Sequence, residues 1–84
     1  KTIHERQATM LEGSYTSKLF MEGTPRIAQK VGEEGVEVAL AAVLGDTKRL
    51  KEESADLVFH LLVLLRQRGM TLGDVAEELR RRMK

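Results

Sequence analysis

Apolar residues recur along this chain at helical spacing. From Ile27 the positions i, i+4, i+7, i+11 and i+14 read Ile27, Val31, Glu34, Val38 and Ala41, the stripe by which a helix faces a core. A second stripe reads Leu50, Glu53, Leu57, Leu61 and Leu64. No stretch sustains the apolar/polar alternation of a half-buried strand. The pattern predicts an all-α domain spanning residues 1–84, a helical bundle with two long antiparallel helices over about 25–44 and 47–68 and shorter helices on either side.

Helix punctuation sharpens these limits. Residues 3–12 predict a short helix ending at Gly13, and Ser14 a cap for a second segment that stops at Gly23. Thr24-Pro25 reads as an N-cap followed by proline at the first helical position. Gly45 and Gly69 read as helix stops, and Asp46 or Thr47 as the cap between the long helices. Thr71-Leu-Gly-Asp74 reads as a capping box, flanked by Met70 and Val75 as a hydrophobic staple.

Length then limits stability. A chain of 84 residues buries only about 60–65% of the surface its unfolded form exposes, and one core of this size supplies no more than about 3–5 kcal/mol. Cysteine is absent, so the additional support must come from helix packing, an oxygen- or imidazole-bound metal, or a second subunit. Zero cysteine also fits a reducing compartment. The longest apolar run, Leu61 to Leu65, is far short of the roughly 20 residues of a membrane span. Lys1 to Leu11 lacks the apolar stretch of a secretion signal. These readings predict a cytoplasmic protein with no membrane partner.

Net charge is +1, but its distribution is uneven. Residues 33–56 carry three Lys/Arg against seven acids, a local balance of −4, while the flanking segments are basic. The acids sit in a pattern. Glu34 lies within the first apolar stripe with Glu37 three residues on, and Glu53 lies within the second with Asp56 three residues on. Glu37 and Glu34 precede Gly45 by eight and eleven residues; Glu53 and Asp56 follow it by eight and eleven. Antiparallel packing about that turn sets the two pairs opposite each other. Four carboxylates in a partly dry groove repel and each costs several kcal/mol to desolvate unpaired. They are therefore protonated or share a cation, and oxygen-only ligation suits Mg²⁺ or Mn²⁺. No Ser-His-Asp or Cys-His set is visible.

These residues match a known pattern. Glu33-Glu34-x-x-Glu37 followed by Glu53-x-x-Asp56 resembles the EExxE…ExxD signature of the all-α nucleoside triphosphate pyrophosphohydrolase (MazG-like) superfamily. Ser14-Tyr15-Thr16, the Ile27–Glu34 segment and the Ala55–Leu65 segment are similar to the phosphoribosyl-ATP pyrophosphohydrolases of histidine biosynthesis, over about residues 13–84. The resemblance implies Mg²⁺-dependent hydrolysis of phosphoribosyl-ATP to phosphoribosyl-AMP and pyrophosphate. It implies a homodimer whose four-helix core is completed across the interface. It implies Glu34, Glu37, Glu53 and Asp56 as metal ligands, with Glu33 assisting through a second ion or a water. Gly35 departs from the alanine expected of the family and loosens the helix between Glu34 and Glu37.

Around this set, Lys30 lies one turn before Glu34 and either reaches a phosphate or pairs with Glu34. Ser14, Tyr15 and Thr16 are donors for phosphate or ribose, or a helix cap, and Arg26 and Lys18 are weaker phosphate contacts. His60, one turn past Asp56, reads as a satisfied core histidine rather than a ligand. Gly32 and Gly35 suggest a close backbone approach by a helix or substrate. Two other functions fit less of the sequence. A pyrophosphohydrolase of dCTP, dUTP or damaged nucleotides would share the acids, but only Tyr15, Phe20 and Phe59 are available to stack a base. Arg80-Arg81-Arg82 with Lys84 would serve a nucleic-acid-binding module, yet the acidic centre opposes one; the arginines read better as a basic last turn, and no nucleic-acid partner is expected.

Overall fold

The computed structural model describes residues 13–83, and these are helical throughout apart from short connections. The helices are α1 (described over 13–22), α2 (Thr24–Leu44), α3 (Thr47–Gln67) and α4 (Leu72–Arg82). No strand occurs among the described residues. The helix expected over 3–12 lies outside them. Gly13 and Ser14 are both helical, so Ser14 is not the cap expected of it. A helical glycine costs only about 1 kcal/mol, which the burial of Leu19 one turn beyond Tyr15 readily offsets.

Gly23 alone joins α1 to α2. Its φ of 88° and ψ of 178° lie in a region open essentially to glycine. Its N–H bonds to the Leu19 carbonyl at 3.0 Å, and its own carbonyl accepts from the Ile27 N–H at 3.3 Å. Gly23 is therefore the N-cap, and Thr24 is the first helical residue rather than the cap expected of it. The bend brings Leu19 and Ile27, each four residues from Gly23, into one cluster with Val63; Tyr15, Phe20, Phe59 and Leu64 pack around it.

The long pair forms as its punctuation predicts. The Asp46 N–H bonds to the Ala41 carbonyl at 3.0 Å and the Gly45 N–H to Ala42 at 3.1 Å, a Schellman motif with Gly45 at φ 72°. The Asp46 side chain accepts the Arg49 N–H at 3.0 Å and starts α3. Contacts of Glu37 with Arg49 and of Glu34 with His60 establish the antiparallel register. At the far end both halves of the Thr71–Asp74 capping box are made.

Burial follows the first stripe and departs from the second. Ile27, Glu34 and Ala41 are the buried residues of α2. On α3 they are His60, Val63 and Leu65, whereas Leu50, Leu57, Leu61 and Leu64 are half-buried. The cause is α1, which covers the Phe59–Val63 side of α3 and moves the centre of the core there. A Cβ built on Gly32 or Gly35 would meet nothing within 4 Å, so within one chain no neighbour makes the close approach expected of them. Apolar surface remains open: Val36, Leu40 and Val43 on α2 and Val58 and Leu62 on α3 are exposed, and α4 buries no residue. The radius of gyration, 14.5 Å, exceeds the roughly 12 Å of a compact domain this long. Among the described residues, no helix is long and apolar enough to cross a membrane.

Candidate active site

The carboxylates of α2 and α3 line one seam and divide into two groups. At the end nearer the turn, the Arg49 guanidinium donates to Glu37 from across the seam, and its Nε lies 4.0 Å from Glu53 one turn along α3. All three side chains are partly exposed, at 41% for Arg49, 39% for Glu37 and 24% for Glu53. Asp46 fixes the start of this arrangement, since it caps the backbone of the same arginine.

At the other end the groups are buried. The Glu34 side chain is 12% exposed and that of His60 6%, with Glu34 Oε1 2.5 Å from His60 Nδ1. Nδ1 also lies 3.0 Å from the Asp56 carbonyl oxygen, and Nε2 lies 2.7 Å from the Tyr15 hydroxyl. Glu34 Oε1 and the Asp56 carbonyl oxygen therefore face the same ring nitrogen, and the carboxylate is the nearer of the two. Phe59 and Tyr15 meet the imidazole edge-to-face, with centroids 5.0 and 5.4 Å away. Burial holds the Glu34 carboxyl above the ordinary glutamate range; His60 pulls it down, Asp56 across the seam pushes it up, and Lys30 pulls it down again.

The register thus agrees with the mirrored spacing: Arg49 ties Glu37 to Glu53, and Glu34 feels the charge of Asp56. The acids are not gathered into one shell. Among the described residues, no three His, Asp or Glu side chains converge closely enough to hold a metal ion. Asp56 is exposed, as is Glu33, which accepts the Gln29 amide at 3.0 Å. Lys30 is half-buried and makes no ion pair with Glu34 within 4 Å. Arg26 lies 3.6 Å from Glu22, Ser14 and Lys18 are exposed on α1, and Thr16 shares an apolar hollow with Phe20, Phe59, Leu62, Val63 and Arg66.

By donor type, carboxylate oxygens from two facing helices are those a hard divalent cation takes, but in this structure they are not drawn together around one point. The phosphoribosyl-ATP pyrophosphohydrolase family profile matches residues 1–83. The chain belongs to the phosphoribosyl-ATP pyrophosphohydrolase family. Its relatives in that family include three proteins named histidine biosynthesis bifunctional protein HisIE. The one from Xanthomonas axonopodis pv. citri is 61% identical over 74 residues, 88% of this chain and 36% of that protein. The Photobacterium profundum protein is 54% identical over 82 residues, 98% of this chain and 40% of its own length. The Escherichia coli protein is 56% identical over 80 residues, 95% and 39% respectively. The chain therefore spans about two fifths of these family relatives.

Two features of this family member are not apparent in its sequence. Arg49 is one; its signal was present as an i, i+4 partner of Glu53, but its reach to Glu37 depends on the register across the turn. The other is the contact of Tyr15 with His60, 45 residues apart, which no local pattern announces. His60 is buried as expected, though its partners include a site carboxylate. Arg81 and Arg82 pair with Glu78 on their own helix, as a basic last turn would.

Proposed function

We propose that this chain hydrolyses phosphoribosyl-ATP between its α and β phosphates, releasing phosphoribosyl-AMP and pyrophosphate, in histidine biosynthesis. The observation that carries the reading is the pairing of carboxylates across the α2–α3 seam, in a chain whose family profile covers residues 1–83. Glu34, Glu37, Glu53 and Asp56 would hold Mg²⁺, or Mn²⁺ in its place. When bound, the ion neutralises phosphate charge, polarises the phosphoryl oxygen and aligns the attacking water.

The chain's own residues perform the rest. Arg49 neutralises Glu37 and Glu53 in the resting chain and must release them for ligation; its freed guanidinium is then a donor for the departing pyrophosphate. Lys30 offers a compact cation on the face of α2 beside Glu34. Glu33 is exposed next to the ligands and is available to take the proton of the attacking water through a second water. Ser14 and Thr16 on α1, with Arg26 at the start of α2, are the remaining polar contacts for ribose and phosphate.

The homodimer belongs to the same proposal. Val36, Leu40, Val43, Val58 and Leu62 form an open apolar surface on the long pair, and α4 has an apolar side with no burial of its own. A second copy covers both and completes a four-helix core. Zero cysteine and the biosynthetic names of the relatives support a cytoplasmic setting.

A substrate panel scored for pyrophosphate release tests the reading. Phosphoribosyl-ATP should be turned over faster than dCTP or dUTP, and only with Mg²⁺ or Mn²⁺. Glu34→Gln and Asp56→Asn should each lower that rate by about 100-fold or more, the order expected when a charge-stabilising group is removed. Faster turnover of a deoxynucleotide, or unchanged rates in both variants, would overturn it.

A further inference from the structure

We propose that the hollow between α1 and α3 is the subsite for the purine and its phosphoribosyl extension, with Phe20 and Phe59 stacking the base and Arg66 holding the phosphate of the phosphoribosyl group. The proposal rests on the substrate reading above and adds to it the residues that tell phosphoribosyl-ATP from ATP. Two helix faces build the hollow. Thr16 and Phe20 stand one turn apart on α1, and Phe59, Val63 and Arg66 follow at i, i+4 and i+7 on α3. Val63 is buried, Phe20 and Phe59 are half-buried, and Arg66 is exposed. Leu62 lines the hollow as well and is shared with the surface proposed for a second copy. The volume, about 190 Å³, is below the roughly 300 Å³ at which pockets begin to enclose whole small molecules. It suits a planar base rather than a complete nucleotide.

The walls suit a base as well. Phe59 is stacked on Tyr15 with ring centroids 6.0 Å apart and meets His60 edge-to-face at 5.0 Å. Its ring is therefore in place before any ligand arrives, which spares the cost of ordering it on binding. Thr16 adds a hydroxyl, and of these lining residues Arg66 alone is charged. Placement ties the hollow to the acids. Phe59 lies three residues past Asp56, on the next turn of α3, and its ring packs on His60, which contacts Glu34. Arg66 lies ten residues past Asp56, about 15 Å along the helix. The substrate runs in the same order: triphosphate, ribose, purine, then a second ribose and its phosphate attached to the six-membered ring of the purine. With the triphosphate at the acids and the purine against Phe59, the last phosphate falls at the Arg66 end. A guanidinium pairs with such a phosphate through two parallel hydrogen bonds, and ATP has no group to offer it there.

Isothermal titration calorimetry with phosphoribosyl-AMP and with AMP, and steady-state pyrophosphate release from phosphoribosyl-ATP, test this on the wild type, Arg66→Gln, Arg66→Lys and Phe20→Leu. The wild type should bind phosphoribosyl-AMP at least about 10-fold more tightly than AMP, the factor that one charge-assisted hydrogen bond supplies. Arg66→Gln should weaken phosphoribosyl-AMP by about that factor, keep AMP within about 2-fold and raise the KM for phosphoribosyl-ATP in step. Arg66→Lys should restore part of the preference. Phe20→Leu should weaken both ligands alike, by about 10-fold, because both carry the purine. Arg66→Gln acting equally on the two ligands, or on neither, overturns the proposal, as does an unchanged AMP affinity in Phe20→Leu. If Arg66 served only the C-terminal dipole of α3, Arg66→Gln would lower the thermal midpoint and leave the ligand preference intact. A wild type that releases no pyrophosphate from phosphoribosyl-ATP overturns the substrate reading and this subsite with it; turnover in the wild type with the preference intact in Arg66→Gln overturns the subsite alone.

Discussion

The two ends of the α2–α3 seam carry the same kind of side chain and treat it in opposite ways. Near the turn, Glu37 and Glu53 stand partly in water and share Arg49, a long side chain on the first turn of α3. Eleven residues from the turn on either side, Glu34 is buried against His60, and Asp56 lends its carbonyl to the same imidazole. At the wet end negative charge is balanced by an arginine that water can also solvate, so exchanging that partner for another cation is cheap. At the dry end it is held by a fixed ring and disfavoured by burial. Flexibility and exchange belong to one end, and placement to the other.

The largest effect that would break this contrast lies at the dry end. Glu34→Gln should abolish most Mg²⁺-dependent turnover and yet stabilise the metal-free protein at neutral pH. The sign follows from the raised pKa of Glu34: the folded state binds its proton more tightly than the unfolded state, so stability falls as pH rises from about 4.5 through the higher folded value. Glutamine removes that loss. The thermal midpoint of the variant, compared with wild type across pH, should lie above it at neutral pH and converge with it in acid. A variant less stable at neutral pH would show that the His60 contact outweighs burial.

Next in size is Gly23→Ala, which strains a backbone open essentially to glycine and should cost about 1–3 kcal/mol in denaturant unfolding. Because the Gly23 bend carries α1, it should disturb Tyr15 and His60 while leaving the Arg49–Glu37 contact intact. Chemical-shift changes spread evenly over both ends would remove the distinction between them.

Smaller still is Arg49→Ala, which should destabilise the metal-free chain by no more than about 1 kcal/mol, the range of exposed pairs. The variant should also gain more thermal stability from Mg²⁺ than the wild type does, since no resident cation competes. Equal gains would mean that Arg49 and metal do not exchange.

The smallest effect concerns an ion pair with no seam at all. Arg81 and then Arg82 hold the Glu78 carboxyl below its ordinary range, so its contribution is present above about 4.5 and is lost as pH falls through the lower folded value. Far-ultraviolet dichroism should register a slight loss of α4 helicity in acid, absent in Glu78→Gln.

Much of this was legible in the linear chain because it depends on neighbours a few residues apart. Capping by Asp46, the Thr71–Asp74 box and the glycine stops at Gly45 and Gly69 are local geometry, and each formed. The stripe through Ile27, Glu34 and Ala41 needed only the helical period. The mirrored offsets of the acids needed only a two-residue turn. Local signals misled where packing competed with them. Ser14 looks like a helix cap, but it is already helical, and Tyr15 and Leu19 carry that helix into the core. Thr24 looks like a cap, but Gly23 already makes the turn. The leucine stripe of α3 looks like the core, but α1 shifts burial toward Val63.

Composition and spacing alone specified an all-α chain, two long helices about Gly45 and a surplus of acid on their facing sides, because these follow from helical period, caps and charge count. How that surplus is neutralised could be settled only in three dimensions. Whether an acid is paired, buried or left open depends on which distant side chain arrives beside it: Arg49 at Glu37 across the turn, His60 at Glu34 across the seam, and Tyr15 at His60 from another helix. Desolvation and hydrogen-bond geometry act over a few ångströms in space, and no spacing along the chain encodes which residues will share them.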